Sequence, residues 1–208
     1  MAASYPTADP KRVHGGASRS DSSASNASLL DGLMHGRSDA ARAFCHRYGP
    51  RINRWVWRLL GADDDHDEVV QQVYVGLLSS LSKLKDVNAL DAFVDSVTIR
   101  TVRKEIRRRK LRRLFVSRTA ETDADSLSVA RPLREMHVRA FYRMLDRLST
   151  DDRTVFVLKH FEGLTMEEIA QRSGYSLRTA NRRLYRATAR LKEMMMKETV
   201  LIQLLEAR

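Results

Sequence analysis

An all-α chain of two small helical domains joined by a flexible linker is the fold class this sequence predicts. Three observations predict it. From residue 29 onward, apolar residues recur every three or four positions, which is the helical period. Alternating apolar and polar runs, the mark of half-buried strands, are nearly absent. A polar, acidic stretch ending near Pro132 divides the helical pattern into two blocks.

The elements follow in order. Residues 1–28 are rich in Ser, Ala, Gly and Asp and poor in large apolar side chains. Such a segment buries too little surface to offset its ordering entropy, so a disordered tail is expected. The first helical domain is expected over 29–115. Ala40, Phe44, Ile52, Trp55, Val56 and Leu59 keep helical spacing, with Pro50 expected to kink or interrupt the helix. Gly61 and the acidic run 63–68 end it and start the next. Val69, Val70, Val73, Tyr74, Leu77, Leu78 and Leu81 then form an apolar stripe. A polar segment over 82–91 leads to a third helix, whose apolar face is Phe93, Val94, Val97 and Ile106.

Residues 116–135 read as the linker, and 136–196 as the second domain. There Phe141, Leu145 and Leu148 share a stripe, and Ser149 with Asp152 form a candidate capping box. Residues 165–195 are the most informative. Thr165 and Glu168 make a second capping box, Gly174 supplies a left-handed exit, and Ser176 can cap the next helix. Leu177, Ala180, Leu184, Ala187, Leu191 and Met194 are expected on its buried face. Arg178, Thr179, Asn181, Arg182, Arg183 and Arg186 point away from that face or flank it. A cationic helix pinned by a shorter partner is the geometry of a helix-turn-helix that reads duplex DNA in the major groove. Residues 197–208 are expected to extend the last helix or add a short one.

The charge supports a polyanion partner. The chain carries 37 Lys+Arg against 26 Asp+Glu, a formal net charge of +11. Between Arg100 and Arg113 there are nine Lys/Arg and one Glu. A solvated face is the ordinary explanation for such a run. Like charges crowded on adjacent turns cost helix stability, however, and a nucleic acid would relieve that cost. The acidic residues Asp64, Asp65, Asp67 and Glu68 have two readings. They suit the positive end of a helix dipole, and with Gln71 and Gln72 they also form a polar face suited to docking a protein.

Nothing in the sequence has the pattern of a catalytic centre, so the chain is expected not to be an enzyme and to need no cofactor, metal or small-molecule substrate. The histidines form no metal-ligand spacing, and there is no phosphate-cradling glycine loop. A single cysteine, Cys45, excludes an internal disulfide framework. No apolar run reaches the length of a membrane span and no secretory signal is evident, so a cytoplasmic protein is expected.

Taken in order, the segments 39–60, 67–78, the basic third helix and 145–187 (LDRLSTDDRTVFVLKHFEGLTMEEIAQRSGYSLRTANRRLYRA) resemble the extracytoplasmic-function sigma factors of the sigma-70 superfamily. The resemblance implies a region 2-like helical bundle and a region 4-like helix-turn-helix domain. It implies a promoter-specificity subunit that binds core RNA polymerase, recognises −10 and −35 elements of promoter DNA and promotes melting. Asp67, Glu68, Gln71 and Gln72 fall on the family's polymerase-docking helix. Lys85 and Asn88 fall in the loop that captures a flipped −10 base, and Arg100, Arg103, Lys104, Arg107 and Arg108 on the −10 helix. Arg178, Thr179, Asn181, Arg182, Arg183 and Arg186 fall on the −35 recognition helix. Phe93 stands where the family usually has tryptophan, and Gln71–Gln72 where it usually has Gln-Glu. The resemblance also implies control by a separate anti-sigma factor. The alternative is a polymerase-independent helix-turn-helix transcriptional regulator.

Overall fold

The computed structural model describes residues 19–61, 65–116 and 133–206. They form eight α-helices: α1 (Arg19–Met34), α2 (Ser38–Leu60), α3 (His66–Ser80), α4 (Leu90–Val116), α5 (Leu133–Asp146), α6 (Thr150–His160), α7 (Met166–Ser173) and α8 (Leu177–Glu206). Two short 3-10 turns, Leu81–Lys83 and Val87–Ala89, join α3 to α4. No strand occurs among the described residues.

The first core is built where α2, α3 and α4 bring their stripes together. Phe44, Tyr48, Ile52, Val56 and Leu59 of α2 meet Val69, Val73 and Leu77 of α3 and Leu90, Val94, Val102 and Ile106 of α4. α2 runs through Pro50 as one helix, where a kink or interruption was expected. Tyr48, Gly49 and Ile52 are buried on either side of it, so packing holds the helix across the missing amide. Gly61 ends α2 with φ 84°, and its amide bonds the Trp57 carbonyl.

α1 corrects one expectation. Residues 19–28, assigned by composition to a disordered tail, are helical. Leu29, Leu30 and Leu33 pack its end on the core, and the Asn26 amide donates to the Val87 carbonyl at 3.2 Å. Composition missed it because the anchoring leucines follow the polar stretch. Residues 1–18 and most of the expected linker, 117–132, lie outside the described residues.

The helix-turn-helix forms as its caps dictate. Thr165 and Glu168 make the full reciprocal capping box, and Gly174 adopts φ 71° in the left-handed region. Ser176 Oγ accepts from the Thr179 amide at 3.2 Å. The box at Ser149 is only half made: Ser149 accepts from the Asp152 amide, while the Asp152 carboxylate is drawn away to Arg186. On α8, Ala180, Ala187, Leu191 and Met194 are buried as expected, Leu184 is half-buried, and Leu177 is largely exposed at the helix start.

The two helical blocks are packed against each other. Trp55 of α2 and Ile99 of α4 join Val155, Leu158, Ile169, Ala170 and Ala180 of the second block in one apolar cluster. Fully burying each of its Val, Leu and Ile side chains contributes roughly 1.5–3 kcal/mol. Arg153 of α6, only 2% exposed, donates from Nε to the Leu59 carbonyl at 2.8 Å and pairs with Asp146. Asp95 of α4, its side chain 1% exposed, lies between Arg51 of α2 at 2.5 Å and Arg172 of α7 at 3.2 Å.

Candidate nucleic-acid interface and docking face

Two arginine-bearing helices, one acidic-glutamine helix and the loop between α3 and α4 carry the expected functional residues. α4 presents the first set. Arg100, Lys104, Arg107 and Arg108 are exposed, and Arg103 is mostly covered, with its side chain 14% exposed. The crowding expected to need an external polyanion is largely relieved inside the molecule. Glu105, buried on the same helix, accepts from Arg108 and Arg109, each at 2.7 Å. Burial works against its charge, yet those hydrogen bonds hold the Glu105 carboxyl below its ordinary range. Lys110 reaches the Leu148 carbonyl, and Arg113 pairs with Asp146 at 3.0 Å.

Arg103 and Arg107 turn toward the second block. Arg103 donates to Asp151 Oδ1 through Nε at 3.1 Å and Nη2 at 2.6 Å, and through Nη1 to the Ser173 carbonyl at 3.1 Å. Arg107 reaches the same Oδ1 at 2.9 Å. Arg183, from the recognition helix, meets the other oxygen of Asp151 at 3.0 Å. Tyr175, in the helix-turn-helix turn, packs between two of these cations, with its ring centroid 4.9 Å from the Arg103 guanidinium and 4.8 Å from that of Arg183. Burial alone would raise the Asp151 carboxyl. The Tyr175 hydroxyl beside it, with Arg103 and Arg183, holds it below the usual carboxylate range instead.

α8 presents the second set. Arg178, Asn181 and Arg182 are exposed on one side, with the Asn181 amide donating to the Leu177 carbonyl at 3.1 Å. Thr179 is half-buried in its capping bond with Ser176. Arg186 leans back onto Asp152 at 2.8 Å. Tyr185, 77% exposed, stands on the same side as Arg178 and Arg182 and was not singled out from the sequence. Its spacing of three and seven residues from Arg182 and Arg178 was the available signal.

The loop between α3 and α4 exposes Lys85 and Asn88. Asp86 Oδ1 accepts from the Asn88 amide at 2.9 Å and caps the turn, while α1 holds the loop from the other side. Arg47 Nη1 donates to Asn26 Oδ1 at 2.6 Å, so the α1 contact is itself braced by α2.

On α3, Asp67, Glu68 and Gln71 are exposed and Gln72 is half-buried. Gln72 Nε2 donates to Glu68 Oε1 at 3.0 Å. Val75 and Leu78 continue this face outward, largely exposed. Leu78 was expected on the apolar stripe facing the core. It falls one position after Leu77, which takes the core place, so it points about 100° away.

The acidic partners of these arginines, Asp151 on both basic helices and Asp152 on α8 alone, were also missed from the sequence. In sequence they look like ordinary helix-start acids. Only packing brings Asp151 to α4.

Fold and site together define an all-helical protein with two arginine-bearing helices and a separate polar, acidic face on α3. The comparisons name its family. A family model described as sigma-70 region 2 matches residues 44–112, and one described as sigma-70 region 4 matches residues 138–191. Together they take in more than half of the chain, and the protein belongs to the extracytoplasmic-function sigma factors of the sigma-70 superfamily. It is 26% identical over 137 residues to RNA polymerase sigma factor SigV of Bacillus subtilis, covering 65% of this chain and 78% of that one. To the RNA polymerase sigma-E factor of Streptomyces coelicolor it is 29% identical over 138 residues, covering 65% and 75%. The fold is similar to CnrH, solved in complex with the cytosolic domain of CnrY, at TM-score 0.57 and 20% identity, covering 81% of this chain and 96% of that one. It is also similar to the sigma factor RpoE of Bartonella quintana, solved with the anti-sigma factor NepR, at TM-score 0.54 and 18% identity, covering 74% and 96%.

Proposed function

We propose that this chain binds core RNA polymerase and directs it to promoters by gripping DNA at two separated elements. The observation that carries the reading is the presence of both basic helices and the acidic-glutamine helix in one chain, in region 2 then region 4 order. Asp67, Glu68, Gln71 and Gln72 dock the polymerase. Lys85 and Asn88 serve a flipped base of the −10 element. Capturing an extruded base offsets the few kcal/mol that unstacking costs. Arg100, Arg103, Lys104, Arg107 and Arg108 hold the −10 DNA through its phosphates. Arg178, Thr179, Asn181, Arg182, Arg183 and Arg186 read the −35 element as duplex.

The polymerase supplies the chemistry, so the chain itself acts as a cytoplasmic specificity subunit and not as a catalyst. No helix among the described residues is long and apolar enough to cross a membrane. An anti-sigma protein is the proposed regulator, in line with the anti-sigma factor NepR solved with RpoE.

Run-off transcription with core polymerase on a genomic library tests the reading. Specific transcripts that depend on the added chain are expected. Glu68→Lys combined with Gln72→Lys should reduce polymerase binding while leaving DNA contacts of the second block intact. Arg182→Ala should weaken initiation only on promoters with a −35 element. No binding to core polymerase at micromolar concentration, with a footprint by the chain alone, would favour the polymerase-independent regulator.

A further inference from the structure

The loop that carries Lys85 and Asn88 has little internal bonding of its own. Its second half is the 3-10 turn Val87–Ala89, closed by the Ala89 amide on the Asp86 carbonyl at 3.0 Å and the Leu90 amide on the Val87 carbonyl. Turns this short have poor hydrogen-bond geometry, so contacts from outside decide their shape. Leu84 and Val87 pack on the same core as Leu29, Leu30 and Leu33 of α1, while Lys85, Asp86 and Asn88 stay exposed.

The polar contact from α1 is Asn26. It is 5% exposed, and both ends of its amide are used. Nδ2 donates to the Val87 carbonyl at 3.2 Å, and that oxygen also accepts from the Leu90 amide, so both of its lone pairs are taken. Oδ1 accepts from Arg47 Nη1 of α2 at 2.6 Å. Arg47 Nη2 lies 3.8 Å from Asp91 Oδ1 in the first turn of α4, and the neighbouring Tyr48 hydroxyl donates to that oxygen at 2.7 Å. One turn of α2 therefore fixes α1 on one side of the loop and the start of α4 on the other. Residue 26 precedes the span 44–112 matched by the region 2 model, so that match assigns it no part.

We propose that Asn26, braced by Arg47, is a positioning residue for the loop that captures the flipped −10 base. Asn26 is buried and acts through the loop. It holds the Val87–Asn88 backbone so that Asn88 is already placed when the base leaves the stack. Ordering the loop only at capture would subtract from the binding that offsets unstacking. A chain without this contact still docks on polymerase and still grips phosphates, but it discriminates less between bases at that position. The positioning role rests on the function proposed above, while the tie between Asn26 and the loop does not.

Hydrogen exchange of the free, full chain tests the tie. Asn26→Leu removes both ends of the amide without adding charge. Asn26→Asp keeps the acceptor for Arg47 and loses the donor to Val87. In both, the Ala89 and Leu90 amides should exchange about fivefold faster, as expected for the loss of one hydrogen bond. Amides of α2 and α3 should keep their rates. Asp31→Asn, exposed on the same helix, should leave the loop unchanged. The positioning role is read with core polymerase on a promoter recovered by the run-off selection. Open-complex formation is compared with that on the same promoter carrying a replacement of the captured base. In both Asn26 variants the preference for the captured base should fall about fivefold, in line with the loop's loss of order. Affinity for core polymerase and preference at the −35 element should not change.

Unchanged exchange at Ala89 and Leu90 in both variants would overturn the tie and the proposal with it. Faster exchange throughout α2 and α3 as well would make Asn26 a packing residue only, and would overturn the proposal too. Faster loop exchange with unaltered base preference would overturn the positioning role. Failure of the unsubstituted chain to bind core polymerase would overturn the function proposed above and the positioning role together. The exchange comparison would still decide the tie.

Discussion

The α3 face and the arginine helices meet solvent in opposite ways. Asp67, Glu68 and Gln71 stand exposed, and Val75 and Leu78 beside them leave apolar surface open to water. Arg103, Arg107, Arg183 and Arg186 are turned onto Asp151 and Asp152. One surface is open to solvent, and the other is already paired with carboxylates of the same chain. Residue type alone therefore does not say whether a binding element is available. An arginine on a reading helix is useful to DNA only when no nearer anion holds it.

Breaking the packing between the blocks should give the largest effect. Trp55→Ala removes a side chain that is 2% exposed and shared with the second block's cluster. It should cost about 3–5 kcal/mol by thermal or denaturant unfolding. The ion pairs of Arg103 and Arg107 with Asp151 cross the same packing, so salt-sensitive duplex binding should rise under conditions where the chain remains folded. Stability loss without any gain in duplex binding would show that the packing and the ion pairs act separately.

A smaller effect is expected at Gly61. Its φ is 84°, and an added Cβ would come within 2.8 Å of the Tyr142 ring of α5. Gly61→Ala should destabilise by about 1–3 kcal/mol. The strain falls at the α2–α5 contact, so binding through the α3 face should be unchanged when measured against core polymerase.

The smallest expected effect is pH dependence, and the two interface carboxylates have opposite signs. Burial pushes Asp95 from its ordinary 3.8 up to about 6, against the pull of Arg51 and Arg172. The folded form then holds more protons than the unfolded chain between about pH 4 and 6. The Asp95 contribution to stability accordingly falls as pH rises through that window and is level above it. Asp151 is held below its ordinary value, so its contribution is present above the unfolded pKa and is lost as pH falls through the folded one. Comparing unfolding of Asp95→Asn and Asp151→Asn with the unsubstituted chain from about pH 2 to 7.5 should show these opposed slopes, that of Asp151 below about pH 4 and that of Asp95 between about pH 4 and 6. Slopes of the same sign would mean that the two sites do not differ as their surroundings imply.

Much of the architecture was legible from short-range patterns. The Thr165–Glu168 box, the Gly174 exit and the Ser176 cap each depend on residues a few positions apart. The apolar stripes of α2 and α8 depend on the helical period in the same way. What failed was also local. Residues 19–28 looked disordered because the leucines that anchor α1 come at its end. Pro50 looked like a break because its environment is supplied by other helices.

By itself the sequence determined the helices, their caps, the two-block order and the identity of the arginines and acids offered for binding. These follow from backbone hydrogen bonding and side-chain periodicity, which act over a turn or two. Only the tertiary structure decided which of those charges face solvent. Arg103 meets Asp151 from 48 residues away, and Arg153 meets the Leu59 carbonyl from 94. Such contacts depend on how α6 and α7 seat against α2 and α4, and the apolar cluster around Trp55 and Ile99 sets that seating.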